Sequence, residues 1–260
     1  MSDFVLMRER WVRKILKMLR EDHATGPDEL PARILRRCAG IRGRRKPLTW
    51  IVRRALAAGL WTDFWRLHRL CPLHQKGVVH SSNNHRALHL TAILFKVFER
   101  ALNATLSRYF DATNAFGHSQ WAFQRRRGCN AVVLYQMCSW LRAFQRRQRV
   151  GVFLSDIAGA CDRVDSDRLV RKLRRSGLCE SLLTVLTSYL APRTAHVAVD
   201  NCLSGPIVFE DMVFQGAVLG PSLWSSRINW MPNQLDAGSN GLQTILPLLR
   251  CMLAMRQIMR

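Results

Sequence analysis

The chain has 260 residues, 48% of them hydrophobic and 22% charged, which is enough apolar content for a buried core and too much for a disordered tail. Forty Lys and Arg stand against 18 Asp and Glu, a formal +22; this points to a polyanionic partner, nucleic acid above all, although an Arg-biased coding composition gives the same count. No apolar run reaches the roughly 18–20 residues of a membrane span, the opening MSDFVLMRERW is charged where a secretory signal is apolar, and the eight Cys include no Cys-x-x-Cys pair, so a membrane protein, a secreted protein and a zinc ribbon are all disfavoured.

Residues 4–20 are expected to form an amphipathic helix, with Val12, Ile15, Leu16 and Leu19 on one stripe and Arg8, Arg13, Lys17 and Arg20 off it. It stops before a Gly-Pro turn at Ala24-Thr25-Gly26-Pro27-Asp28. Leu30–Cys38 reads as a second helix, 40–47 as a basic loop and 49–66 as a Trp-rich helix. The 3–4 residue spacing of Ile93, Leu94, Val97, Phe98, Ala101, Leu102, Leu106 and Tyr109 predicts a helix over 92–109. Ala131–Arg146 predicts another, with Val133, Met137, Trp140, Leu141 and Phe144 facing inward. Val150–Ser155 suits a buried strand before an acidic turn. Helices over Asp167–Arg175 and Glu180–Leu190 follow, separated by Gly177. Ala195–Val199 and Pro206–Val213 read as strands around the turn Asp200–Gly205, and Gln215–Pro221 as a glycine turn into an apolar segment. The fold class is α+β, helical first and mixed after.

The stretch with the most chemistry is Gly151-Val-Phe-Leu-Ser-Asp156-Ile-Ala-Gly-Ala-Cys161-Asp162. It sets one carboxylate at the end of a buried strand and a second six residues on. A strand-end carboxylate can hold Mg²⁺ while phosphates complete the octahedron. Taken alone, such an Asp equally caps a helix or a turn.

Its surroundings add a resemblance. The stretch is similar to the F-x-D-x-x-x-A-F-D motif of reverse transcriptases from non-LTR retrotransposons. Ala24–Pro31 resembles their A-x-G-P-D-x-(I/L)-P signature, and Pro72-Leu-His-Gln-Lys76-Gly77 their P-(I/L)-x-K-K-G loop. Asn84–Leu90 and Leu94–Arg100 resemble N-Y-R-P-I-S-L and L-x-K-(V/I)-x-E-(R/K). Gln120–Phe123 resembles Q-(F/W)-(G/A)-F. Ser188-Tyr189-Leu190 with Arg193 and Val197 matches S-Y-L-x-x-R-x-x-x-V, and Val213–Leu223 resembles V-P-Q-G-S-V-L-G-P-x-L. The matches fall in the family's order between residues 24 and 224.

The resemblance implies the fold, the chemistry and the partners. The fold would be a right-hand polymerase fingers and palm fragment, with an antiparallel palm sheet flanked by helices. Residues 1–23 would be an N-terminal helix, 24–224 the fingers and palm, and 225–260 a divergent tail. The chemistry would be RNA-directed DNA polymerisation, with an RNA template, a DNA primer, deoxynucleoside triphosphates and Mg²⁺. Asp156 would be the catalytic, metal-binding carboxylate, with the Ile157 carbonyl beside it. Lys76 and Arg86 would reach the incoming triphosphate, as an ammonium and a guanidinium can; without the family they read as solvated surface charges. Cys161 would stand where an aromatic ring rejects a 2′-hydroxyl, and Gln215 and Gly216 would lie along the nascent pair and template. Arg125, Arg126 and Arg127 would contact nucleic acid. An intracellular location, in nucleus or cytoplasm, is expected.

There are departures from the family pattern. Cys161 replaces Phe or Tyr, Phe214 replaces the Pro of P-Q-G, Ala87 replaces the Pro of R-P-I, and 124–131 keeps little of R-x-G-R-S-x-x-D. The family's F/Y-x-D-D hairpin has no counterpart, because no Asp-Asp occurs anywhere and Asp236 is the only acid after Asp211. The tail after Trp224 no longer resembles the family, as a frameshift, a wrong splice or a decayed copy would leave it. An inactive retroelement remnant is therefore the expectation. The competing reading is a non-enzymatic, basic RNA- or DNA-binding module.

Overall fold

The structure is a computed structural model that describes residues 8–22, 24–41, 45–116, 120–124, 127–152, 161–200 and 202–228. Among these residues it holds eight α-helices and one mixed, five-stranded sheet, an α+β arrangement.

Three helices open the chain: α1 (Glu9–Lys17), α2 (Ala32–Cys38) and α3 (Arg45–Ala58). α1 buries Val12, Ile15 and Leu16, as its stripe predicts, and turns its basic side chains to solvent. α3 ends earlier than the apolar run suggested. Gly59 takes φ +65°, a left-handed helix stop that a side chain would strain, and a Cβ there would lie 2.8 Å from the Thr184 methyl. Residues 63–66 form a single 3-10 turn instead of continuing the helix.

Strand β1 (Leu67–His74) and strand β2 (His85–Leu90) pair antiparallel, with Leu70 opposite His89 and His74 opposite His85. Neither was legible as a strand, since LHRLCPLH and HRALHL mix His and Arg with short apolar residues. Helix α4 (Ile93–Ala112) follows and is the spine of the core, burying Ile93, Phe95, Val97, Phe98, Ala101, Leu102, Leu106 and Phe110. Next to it Trp61 makes edge-to-face contacts with Phe95 at 4.8 Å, Phe98 at 5.5 Å and Tyr189 at 4.9 Å.

Helix α5 (Cys129–Gln145) forms where expected but buries no residue. Val133, Met137, Leu141 and Phe144, read as inward-facing, are exposed, Phe144 by 57%. Its apolar stripe has the right period, but only Trp140 on it is half-buried, and the other four are exposed among the described residues. Val150–Val152 is irregular, not strand, and residues 153–160 lie outside the described residues, as do Asp156 and Ile157.

Helix α6 (Ser166–Arg175) is capped by the Asp165 carboxylate, which accepts from the Arg168 N–H at 2.8 Å. Helix α7 (Glu180–Leu190) packs beside it. Strand β3 (Arg193–Val199) then returns beside β1 in parallel, pairing Leu67 with Thr194 and Leu70 with Val197. Two short strands, β4 (Cys202–Leu203) and β5 (Ile207–Phe209), pair with β3 antiparallel. The described sheet is therefore mixed: the helical crossover from β2 to β3 brings β3 back in β1's direction, while β3 and β5, which fall in two of the segments expected in an antiparallel palm sheet, pair antiparallel. The strand expected over 206–213 is only three residues long.

Helix α8 (Gly220–Ile228) closes the described fold, with Pro221 in its first turn, where a missing N–H costs nothing. It is tied to α4 by Ser222 Oγ donating to Asn103 Oδ1 at 2.6 Å, and to α6 by Lys172 Nζ donating to the Arg227 carbonyl at 3.1 Å. No described helix is long and apolar enough to cross a membrane.

Candidate nucleotide and template site

The Gln215–Gly216 turn sits against the end of β2. The His89 N–H donates to the Gln215 carbonyl at 3.2 Å. Gly216 takes φ +99°, and a Cβ there would lie 3.2 Å from the His89 carbonyl and 3.3 Å from the Leu88 side chain. Glycine is thus required twice, for conformation and for close approach. One step earlier, the Val213 N–H donates to the Cys161 carbonyl at 3.0 Å. The far side of the turn is held by the Val218 N–H donating to Glu99 Oε2 at 3.1 Å. The Gln215 side-chain oxygen is shielded from solvent and has no hydrogen-bond partner.

Arg86 belongs to the same neighbourhood. It lies on β2 opposite Leu73, and its Nε and Nη1 lie 3.2 and 3.3 Å from the Gln75 side-chain oxygen in the amide orientation that can accept. Across from it is Asp162, on the turn 161–163. Partial desolvation pushes the Asp162 carboxyl up, and the Arg86 guanidinium pulls it back. Arg86, Cys161, Gln215 and Gly216, scattered in sequence, are therefore strung along β2: Arg86, near its start, faces Asp162 beside Cys161, and the Gln215–Gly216 turn lies against Leu88 and His89 near its end.

Other expected residues stand elsewhere. Lys76 is exposed on the connection between β1 and β2 and makes no hydrogen bond or ion pair with those four. Arg127 donates to the Gln120 carbonyl, and its guanidinium lies 5.3 Å from the Trp121 ring centroid. Arg125 and Arg126 lie outside the described residues. With Asp156 and Ile157 also outside them, the donors expected to hold Mg²⁺ cannot be placed. Among the described residues no group of three or more His, Cys, Asp or Glu could hold a metal ion, so no chemical step through a metal is derived.

The sequence reading missed a buried polar cluster beneath the turn. Arg193, Glu99, His68 and His89 are all buried. Arg193 donates to the Tyr189 carbonyl, and its Nη1 lies 3.2 Å from His68 Nε2. Since a guanidinium only donates, His68 Nε2 is the acceptor and its proton sits on Nδ1, from which it donates to His89 Nδ1 at 3.1 Å. Both imidazoles are then neutral. Burial chiefly, then the Arg193 charge, lowers His68 to about 2 and His89 to about 4. Glu99 accepts from the Tyr189 hydroxyl at 2.8 Å, and burial pushes its carboxyl up against the pull of these hydrogen bonds.

These contacts give structural meaning to motifs that were only text in the sequence. Ser188 Oγ accepts from the Trp61 backbone N–H at 2.8 Å, and Tyr189 and Leu190 are buried in the core, so each residue of Ser188-Tyr189-Leu190 has a structural contact. In Ala24-Thr-Gly26-Pro-Asp, a Cβ on Gly26 would lie 2.5 Å from the backbone of Thr91 and Ala92, so this turn packs directly on the β2–α4 junction. The available signal was the lone Glu of an apolar helix and the Arg that opens an apolar strand, each an unexplained charge in a buried pattern.

The profile of the family described as reverse transcriptase (RNA-dependent DNA polymerase) matches residues 74–246. That span contains Arg86, Cys161, Gln215 and Gly216 but no Asp-Asp pair. The RNA-directed DNA polymerase from mobile element jockey of Drosophila melanogaster is 30% identical over 187 residues, 71% of this chain and 20% of that protein. Its counterpart in Drosophila funebris is 30% identical over 152 residues, 58% of this chain and 16% of that protein. The chain thus spans about a fifth or less of the length of these relatives. With its motifs in order and its profile matched over most of its length, the chain belongs to the reverse transcriptase family, as a domain of the non-LTR retrotransposon type.

Proposed function

We propose that this chain is the nucleotide- and template-facing part of an RNA-directed DNA polymerase and that, as it stands, it binds RNA and DNA without extending a primer. The β1–β2 hairpin is read as fingers, and the segment from Cys161 through α8 as the palm side. The observation that carries the reading is that β2 joins these parts: Arg86, near its start, faces Asp162 beside Cys161, and Leu88 and His89, near its end, receive the Gln215–Gly216 turn, which the Val213 N–H in turn links to the Cys161 carbonyl. Arg86 offers a planar fork suited to phosphate. Gln215 and Gly216, half-buried on the turn, would lie along the nascent pair and template. Lys76 and Arg125–Arg127 would add phosphate contacts. In the family's chemistry a divalent metal, Mg²⁺, activates the 3′-hydroxyl and stabilises the leaving pyrophosphate. Asp156, with the Ile157 carbonyl, is the group here that would hold it. One carboxylate where the family uses several holds Mg²⁺ weakly and orients it poorly, which is why no extension is expected.

Photo-cross-linking tests the placement. An RNA–DNA primer–template with a photoreactive base at the primer terminus is expected to cross-link within 213–218, and an azido-nucleotide within 75–90. Cross-links confined to the exposed basic helices α1–α3 would contradict the site and favour the general binding module.

A further inference from the structure

The geometry points to Arg193 as a positioning residue for the Gln215–Gly216 turn, holding Phe214 and the His68–His89 pair so that the turn keeps its place against β2. Its functional meaning rests on the reading of Gln215–Gly216 as the template and nascent-pair contact; its structural content does not.

Arg193 opens β3 and is buried, with no carboxylate among the described residues hydrogen-bonded to it. A Met would fill that space without desolvating a cation, so a packing role alone does not account for arginine. The guanidinium does three things that a Met cannot. Its edge donates to the Tyr189 carbonyl. It also donates to His68 Nε2, which fixes the tautomer that bonds His89. Its face covers the Phe214 ring, 4.0 Å from the centroid, closer than to Tyr189 at 4.6 Å or Phe95 at 5.5 Å.

Both routes lead to the same turn. Phe214 directly precedes Gln215 and packs its ring against His68 at 4.8 Å and His89 at 5.4 Å. The His89 backbone holds the Gln215 carbonyl. Glu99, linked to the cluster through the Tyr189 hydroxyl, holds the Val218 N–H. The turn is thus pinned at Phe214, Gln215 and Val218 by one connected buried cluster. The Phe that departs from the family's Pro is the residue on which the arginine lies.

Hydrogen exchange on the full chain, without nucleic acid, tests this. Arg193→Met is expected to speed exchange of the His89 amide and of amides 215–218 by about tenfold or more, while α4 and α7 keep their protection. Unchanged exchange in 215–218, or equal acceleration in α4, α7 and the sheet, would overturn the proposal. Phe214→Leu, with Arg193 intact, is expected to loosen the same amides. It carries the test should Arg193→Met fail to fold, and unchanged exchange in it overturns the proposal equally. Imidazole nitrogen NMR gives a readout that packing alone would not move. Arg193→Met is expected to release His68 from the Nδ1-protonated tautomer, and its retention would overturn the role assigned to the arginine. Loosening in a chain that gives no cross-link at 213–218 would refute the site reading and leave this one standing; cross-links without loosening would do the reverse.

Discussion

At the scale of single residues, the neutral His68–His89 pair makes the protein acid-sensitive. Both imidazoles are held below their ordinary value of 6.5, at about 2 and about 4, by burial and by Arg193. The unfolded chain therefore takes up these protons first. Their contribution to stability is complete above about pH 6.5 and is lost as pH falls towards 4, at about 1.4 kcal/mol per pH unit for each histidine. Glu99, pushed up by burial, works in the opposite direction, since its contribution is complete below 4.5 and is lost as pH rises through its folded value. Asp28 and Asp162, also raised by burial, act with Glu99, and the two histidines are expected to outweigh the three carboxyls between pH 7 and 5 and leave a net loss on acidification. Denaturant unfolding at pH 7, 6 and 5 is expected to show it. His89→Gln should flatten that dependence, and Glu99→Gln should steepen it. A wild-type stability that rises from pH 7 to 5 would contradict the assignment. None of this cluster was legible beforehand. Hydropathy patterns mark apolar faces, and a buried Arg, Glu or His reads in sequence as a break in such a face. Gly216, in contrast, was legible, because a glycine beside a polar residue in a turn is the ordinary solution for a positive φ.

At the scale of elements, α4 and α5 show what periodicity can and cannot establish. Both carry apolar residues at helical spacing and both are helices. The α4 stripe is covered by α1, α8 and the Trp61 ring system, and Phe98 is fully buried. The α5 stripe is exposed among the described residues except at Trp140, with Leu134 exposed by 63%. Phe98→Ala is accordingly expected to cost about 3–5 kcal/mol, whereas Phe144→Ala should change stability by about 0.5 kcal/mol or less. Equal costs in thermal or denaturant unfolding would mean that α5 is packed in solution. The helix boundaries of α6 and α7 were readable because capping residues and Gly177 punctuate them. Strands β1 and β2 were not, because their side chains alternate poorly and mix His and Arg with short apolar residues. The parallel pairing of β3 with β1 depends on the crossover, which no local pattern encodes.

At the scale of the whole molecule, the net charge of +22 sets the binding behaviour. Affinity for RNA or DNA is expected to fall steeply with salt, with a log–log slope of about −0.7 to −0.9 per phosphate contacted. Filter binding or anisotropy between low and physiological salt measures it, and affinity indifferent to salt would contradict an electrostatic interface. Binding alone does not separate a polymerase domain from a basic module; nucleotide incorporation does. We propose that the chain keeps nucleotide and template contacts of this family but has too few carboxylates for nucleotidyl transfer. Primer extension on an RNA template, with Mg²⁺ and with Mn²⁺, decides this. No incorporated nucleotide is expected with either metal. Extension that is abolished by Asp156→Asn would contradict it, since another acid of this chain would then have to complete the site.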